Sequence, residues 1–175
     1  MENNKLSYIS WTVLIAVILI AIGWLLTNKS KANLKTYTSE VAKIEFKYSS
    51  DWTNMFTDTD LDKLVQLKSP KVYITVNTLN KSPMGIKSGV SAFNRLSYDN
   101  YEEMEGEDQE LDINGVEAMK LSYTYTDNEM EMQACEIIIP IDEVKLTILA
   151  FHAPQEEFEN YQNEIKNIVK SISIK

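Results

Sequence analysis

Histidine occurs once in this 175-residue chain, at His152, and cysteine once, at Cys135. An imidazole beside a thiol is the simplest nucleophilic pair a sequence can offer, because the base removes the thiol proton and leaves a thiolate to attack. The spacing argues against that pair here. Residues 129–139 and 144–151 read as two strands joined by a tight turn around Pro140-Ile141-Asp142-Glu143, which sets Cys135 opposite about residue 148. His152 then lies four strand positions further on, roughly 13 Å away, and a one-residue slip of register moves it to the other face. A core cysteine and a histidine at the rim are expected. One histidine also excludes a multi-histidine metal site, and one cysteine excludes an intramolecular disulfide.

Carboxylates are the remaining source of chemistry. Asp58, Asp60 and Asp62 alternate in DTDLD as the first ligands of a calcium loop do, turning oxygens onto one hard cation. Lys63 stands where such a loop needs glycine and Ser69 where it needs a bidentate glutamate. The three aspartates are therefore weak calcium candidates, and a solvated acidic loop is the plainer reading. Glu102, Glu103, Glu105, Glu107 and Asp108 form a second acidic run that attracts cations loosely at most. A hydrolase or transferase using acids such as Asp58 or Glu103 would need distant carboxyls to converge with raised pKa values; it stays open as the alternative. Met119, Met130 and Met132 near Tyr123 and Tyr125 suit a strand core or an adaptable binding surface. The chain has no glycine-rich phosphate loop, nucleophile elbow or Cys-x-x-Cys pair, so no catalytic residue, metal or cofactor is expected.

These residues need elements to hold them. Ile44, Phe46 and Tyr48 alternate with lysine and glutamate, the period-two pattern of a half-buried strand. Further strands are expected at 64–68 and 72–79, with a turn at Pro70. Val90, Phe93, Ser97, Tyr101 and Met104 recur at helical spacing and predict a helix over about 90–104. Asn114-Gly115 between Leu111/Ile113 and alternating Met119, Leu121, Tyr123 is the strongest hairpin signal, because both turn positions need positive φ. Phe158, Tyr161, Ile165, Ile168 and Ile172 form the apolar stripe of a closing helix. Consecutive hairpins flanked by two helices imply an α+β sandwich with a mainly antiparallel sheet.

The N-terminus is different in kind. No charged residue occurs from Leu6 to Thr27, and some twenty helical residues at about 1.5 Å each cross a bilayer core. The expected organisation is a stub at 1–8, one transmembrane helix at 9–26 in the lipid bilayer, a polar tether at 27–39 and a domain at 40–175. Trp11, Trp24, Lys29 and Lys31 are the expected interface anchors. Ser30 and Ala32 have the spacing signal peptidase reads, so cleavage is a second possibility. The first thirty-five residues carry four lysines against Glu2, whereas the whole chain is at net −9; the domain is acidic and nucleic acid is not an expected partner. Lysine counts favour a cytoplasmic domain, but a short stub followed at once by a span is the export-and-anchor arrangement. A cell-membrane, single-pass protein with an extracytoplasmic domain is expected.

The Tyr48-x-x-x-Trp52 turn, the Asn-Gly hairpin, the long strands and a closing helix ending in Ile-Val-Lys-Ser-Ile resemble the PsbP-like family over about residues 37–175. Ser49 stands where that family often has proline. The resemblance implies an α/β/α sandwich acting as a docking or assembly module without catalysis, its partner an unidentified protein or envelope component. Fold does not carry a partner with it.

Overall fold

The computed structural model describes residues 33–56 and 62–175. The expected span, the anchors Trp11, Trp24, Lys29 and Lys31, and the calcium candidates Asp58 and Asp60 lie outside the described residues. Among the described residues no helix is long and apolar enough to cross a membrane.

One folded unit runs from Leu34 to Lys175. Its strands are β1 (Leu34–Ser39), β2 (Ile44–Ser49), β3 (Trp52–Phe56), β4 (Asp62–Gln66), β5 (Tyr73–Asn80), β6 (Asp99–Glu103), β7 (Gln109–Ile113), β8 (Val116–Asp127), β9 (Met130–Pro140), β10 (Lys145–Pro154) and β11 (Ser173–Ile174). Helix α1 spans Ile86–Ser97, and a 3-10 turn at Phe158–Tyr161 leads into α2, Gln162–Lys170. The large sheet runs β3-β4-β5-β10-β9-β8-β6, with β7 on the same edge of β8 as β6; β1-β2-β11 form a small second sheet. Every pairing is antiparallel, as a chain of short connections requires.

Alternation sorts side chains between the two faces. On one face Ile74, Ile137, Leu149 and Phe151 pack with Phe46 and Tyr48 of the small sheet and with Ile165, Ile168 and Ile172 at the chain's end. On the other, Val90 of α1 sits among Leu121, Tyr123, Ala134, Ile138 and Ile148. The helices therefore lie on opposite faces, as a layered sandwich demands. Trp52, 2% exposed, donates its indole N–H to Glu164 Oε1 of α2 at 2.6 Å, so the tryptophan turn and the closing helix are bonded directly to each other.

Three expectations need correction. Residues 34–39, expected as tether, are β1: Tyr37 is buried and stacks on Phe46 at 4.8 Å, and one buried ring in six residues leaves little apolar pattern to read. The helix expected at 90–104 starts at Ile86 and stops at Ser97. Tyr98 turns extended, and Asn100 takes φ +52 beside a register shift in the β6–β8 pairing; asparagine tolerates that left-handed region better than most residues. In the β9–β10 hairpin Cys135 faces Phe151, not residue 148. The Asn-Gly hairpin forms as expected, with φ +54 at Asn114 and +83 at Gly115 between paired Ile113 and Val116.

Candidate binding cleft

On the α2 face, the sheet beyond β10 is only partly covered. The opening left there encloses about 700 Å³, within the size range of binding pockets. Its floor is Lys120 and Ser122 of β8 with Gln133, Cys135 and Ile137 of β9. One wall is β7, through Gln109, Leu111 and Ile113; the other is α2, through Gln162, Ile165, Lys166 and Val169. The Asn114 side-chain amide donates to Ile172 O at 2.9 Å, tying the hairpin turn to the end of the chain and closing the cleft there. Glu159 lies at the opposite end, before α2 begins. Lys120 Nζ is 3.2 Å from Glu107, so the floor cation is neutralised in place.

Cys135 is on this floor, 3% exposed, and burial pushes its thiol up to about 11. It is a thiol at neutral pH, poor as a nucleophile. His152 pairs with the adjacent Ala134, which puts it on the other face. The pair is separated by face and not by the 13 Å that the expected register gave. His152 stacks on Tyr73 at 4.6 Å; its Nδ1 lies 2.9 Å from the Tyr125 hydroxyl and its Nε2 3.4 Å from Thr75 Oγ1. Tyr73 and Tyr125 hydroxyls are 3.0 Å apart. Donation from Tyr73 to Tyr125 to Nδ1, with Nε2–H toward Thr75, satisfies every group with a neutral ring. Burial holds the imidazole at about 3, so neutrality persists over the physiological range.

Beside it, under α1, lies a residue that sequence reasoning passed over. Glu136 is 3% exposed; the Tyr123 hydroxyl donates to Oε1 at 2.9 Å and Asn94 Nδ2 to Oε2 at 3.0 Å. Both donors are neutral, and burial raises the carboxyl to about 7 despite them. The signal was present: one acid within the otherwise apolar run Ala134-Cys135-Glu136-Ile137-Ile138. This layer has the raised carboxyl that the hydrolase alternative required, but it is sealed beneath α1. The three cleft glutamines were also missed, since nothing in the sequence joins 109, 133 and 162.

The remaining candidates resolve as structure. Glu103 sits between Lys87 and Arg95, each at 3.4 Å, and Asp108 pairs with Lys87, so the acidic run is partly neutralised by α1. Asp62 accepts a hydrogen bond from the Tyr37 hydroxyl. Among the described residues no group of three or more His, Cys, Asp or Glu is placed to hold a metal. Met132 is buried in the α1-face core with Met119 and Met130 packed against it, the core reading of the methionines.

No protein-family model and no curated protein matches the chain. Solved structures do. Cyanobacterial PsbP (CyanoP) from Synechocystis sp. PCC 6803 superposes with a TM-score of 0.60 at 15% identity, over 85% of this chain and 96% of its own. The Ran-binding protein Mog1p of Saccharomyces cerevisiae gives 0.58 at 11%, over 82% and 96%. LpqN of Mycobacterium tuberculosis, described as involved in cell envelope biogenesis, gives 0.53 at 12%, over 84% and 87%. At such identities what is shared is the fold, and this chain has the PsbP-like fold of a mainly antiparallel sheet between two helices.

Proposed function

We propose that this protein is a non-catalytic binding or assembly domain, held at a membrane by residues 9–26, that receives its partner in the cleft between α2 and the β7–β8 hairpin. The open cleft carries this reading: its floor mixes Ile137 and Cys135 with Ser122 and Gln133, the blend of apolar surface and a few polar groups typical of binding sites. The residues best suited to chemistry sit elsewhere, with Glu136 closed off under α1 and His152 buried among Tyr73, Tyr98 and Tyr125. The fold supports the reading by analogy, since one neighbour is Ran-binding and another serves envelope biogenesis.

Cleft variants test it. Gln109→Arg and Gln162→Arg place bulk and charge at opposite walls, and Ser88→Arg does the same on α1. In native electrophoresis of gently solubilised membranes, the full-length chain is expected in a species larger than the monomer, lost in both cleft variants and kept in Ser88→Arg. A wild-type chain migrating only as monomer, or equal behaviour of all three variants, contradicts the reading.

A further inference from the structure

We propose that α1 is a pH-gated lid on the sheet face opposite the cleft. The protonated Glu136 carboxyl holds it shut, and ionisation of that carboxyl releases it, uncovering Tyr123 and the apolar surface around it as pH rises.

The latch is built from three elements. Glu136 stands on β9, 3% exposed, with Oε1 at 2.9 Å from the Tyr123 hydroxyl of β8 and Oε2 at 3.0 Å from Asn94 Nδ2 of α1. Asn94 is itself 1% exposed, so the bond tying lid to sheet is sealed from water. A protonated carboxyl suits this setting, because the tyrosine hydroxyl can turn from donor to acceptor while the other oxygen keeps the amide bond. A carboxylate does not, because nothing positive among the described residues is bonded to it. Its sheet neighbours are Leu121 of β8 and Ala150 of β10. On α1, Lys87 and Arg95 are taken up by Glu103 of β6, and Lys87 also by Asp108. Lys120 of β8 binds Glu107 on the cleft side, and Asp99 and Glu102 of β6 are exposed. Burial raises the phenols of Tyr98, Tyr101 and Tyr123, which stay neutral.

The rest of α1 is lightly held. Its buried residues are Val90, Ser91 and Asn94, one apolar side chain in three, while Phe93 is 40% and Leu96 90% exposed. No side chain caps its start at Gly85. The Lys87 and Arg95 pairs are at the surface, where ion pairs contribute little. By contrast, α2 buries Ile165 and Ile168 and is bonded to Trp52. Elements with few buried apolar contacts open before the rest of a fold.

Linkage sets the sign and the window. The closed lid holds the carboxyl at about 7, against 4.5 in water. Between those values the closed form keeps a proton that the open form releases, so the open fraction rises about tenfold per pH unit and levels off above 7. His152 stays covered when α1 lifts, because it stacks on Tyr73 and bonds to Tyr125. Global unfolding exposes both groups, whose opposite slopes cancel between pH 4.5 and 6.5; opening of α1 exposes only one.

Hydrogen–deuterium exchange of the full-length protein in detergent micelles, compared at pH 5 and 6.5 after division by the intrinsic rates, tells the two apart. The amides of residues 90–97 should open about thirtyfold more at the higher pH, while those of β9 and β10 change less than about threefold. Glu136→Gln should flatten the α1 profile. Asn94→Ala, which removes the helix's donor and leaves the carboxyl, should raise opening at every pH and carry the slope past pH 7. Parallel changes in α1 and in β9–β10 of the wild type overturn the proposal, as does α1 protection that stays constant across the window or the same α1 slope in Glu136→Gln. The wild-type comparison decides even where a variant does not fold.

Discussion

Glu136 and His152 are buried ionisable groups that affect stability in opposite directions. The glutamate's carboxyl moves from its ordinary 4.5 up to about 7 on folding, so the folded state holds the extra proton and stability falls as pH rises through that window. The histidine moves from 6.5 down to about 3, so the unfolded state holds the proton and stability falls as pH drops from 6.5 to 3. Each contributes a slope of about 1.4 kcal/mol per pH unit. Between pH 4.5 and 6.5 the two slopes cancel, leaving the pair almost without net pH dependence. Glu136→Gln keeps an acceptor for Tyr123 and removes one slope. Chemical denaturation at pH 4.5, 5.5 and 6.5 should therefore show the variant gaining stability relative to wild type as pH rises. A constant difference between the two proteins would mean that Glu136 does not hold its proton in the fold.

At the scale of elements, the Trp52–Glu164 bond explains why two distant sequence signals belong together. The Trp52 indole N–H is the donor to a half-buried carboxyl, and Trp52→Phe keeps most of the ring while leaving that carboxyl without it. The expected loss is about 2 kcal/mol, and a double-mutant cycle with Glu164→Ala should return a coupling of about 1 kcal/mol; additive effects would contradict the bond. Elements with strong periodicity or obligatory turn chemistry were legible: the Asn114-Gly115 turn, the long strands and the closing helix. Those set by tertiary partners were not. β1 depends on pairing with β2 for its backbone bonds, and only the β6–β8 pairing converts residues 99–103 from helical spacing to strand. The β9–β10 register shifted because Leu146 pairs with Pro140, moving the turn beyond Ile141. Cleft and buried layer were illegible for the same reason: each is assembled from residues on at least three elements.

For the whole molecule, a net charge of −9 disfavours nucleic acid as a partner. The proposed tether predicts that the full-length chain stays with membranes after alkaline carbonate washing, whereas a chain lacking residues 1–32 is released; release of both would remove the anchor. The expected extracytoplasmic orientation predicts digestion of the domain by protease added to intact cells, and protection until lysis would place it in the cytoplasm. The central claim, that the partner is received on the α2 face, is tested most directly by photo-crosslinking in living cells from a benzoyl-phenylalanine at Gln162, with one at Ser88 on α1 as the control. The account predicts a discrete crosslinked species from Gln162, lost when Gln109→Arg is added, and none from Ser88. The same species from both positions, or one from Ser88 alone, would contradict it.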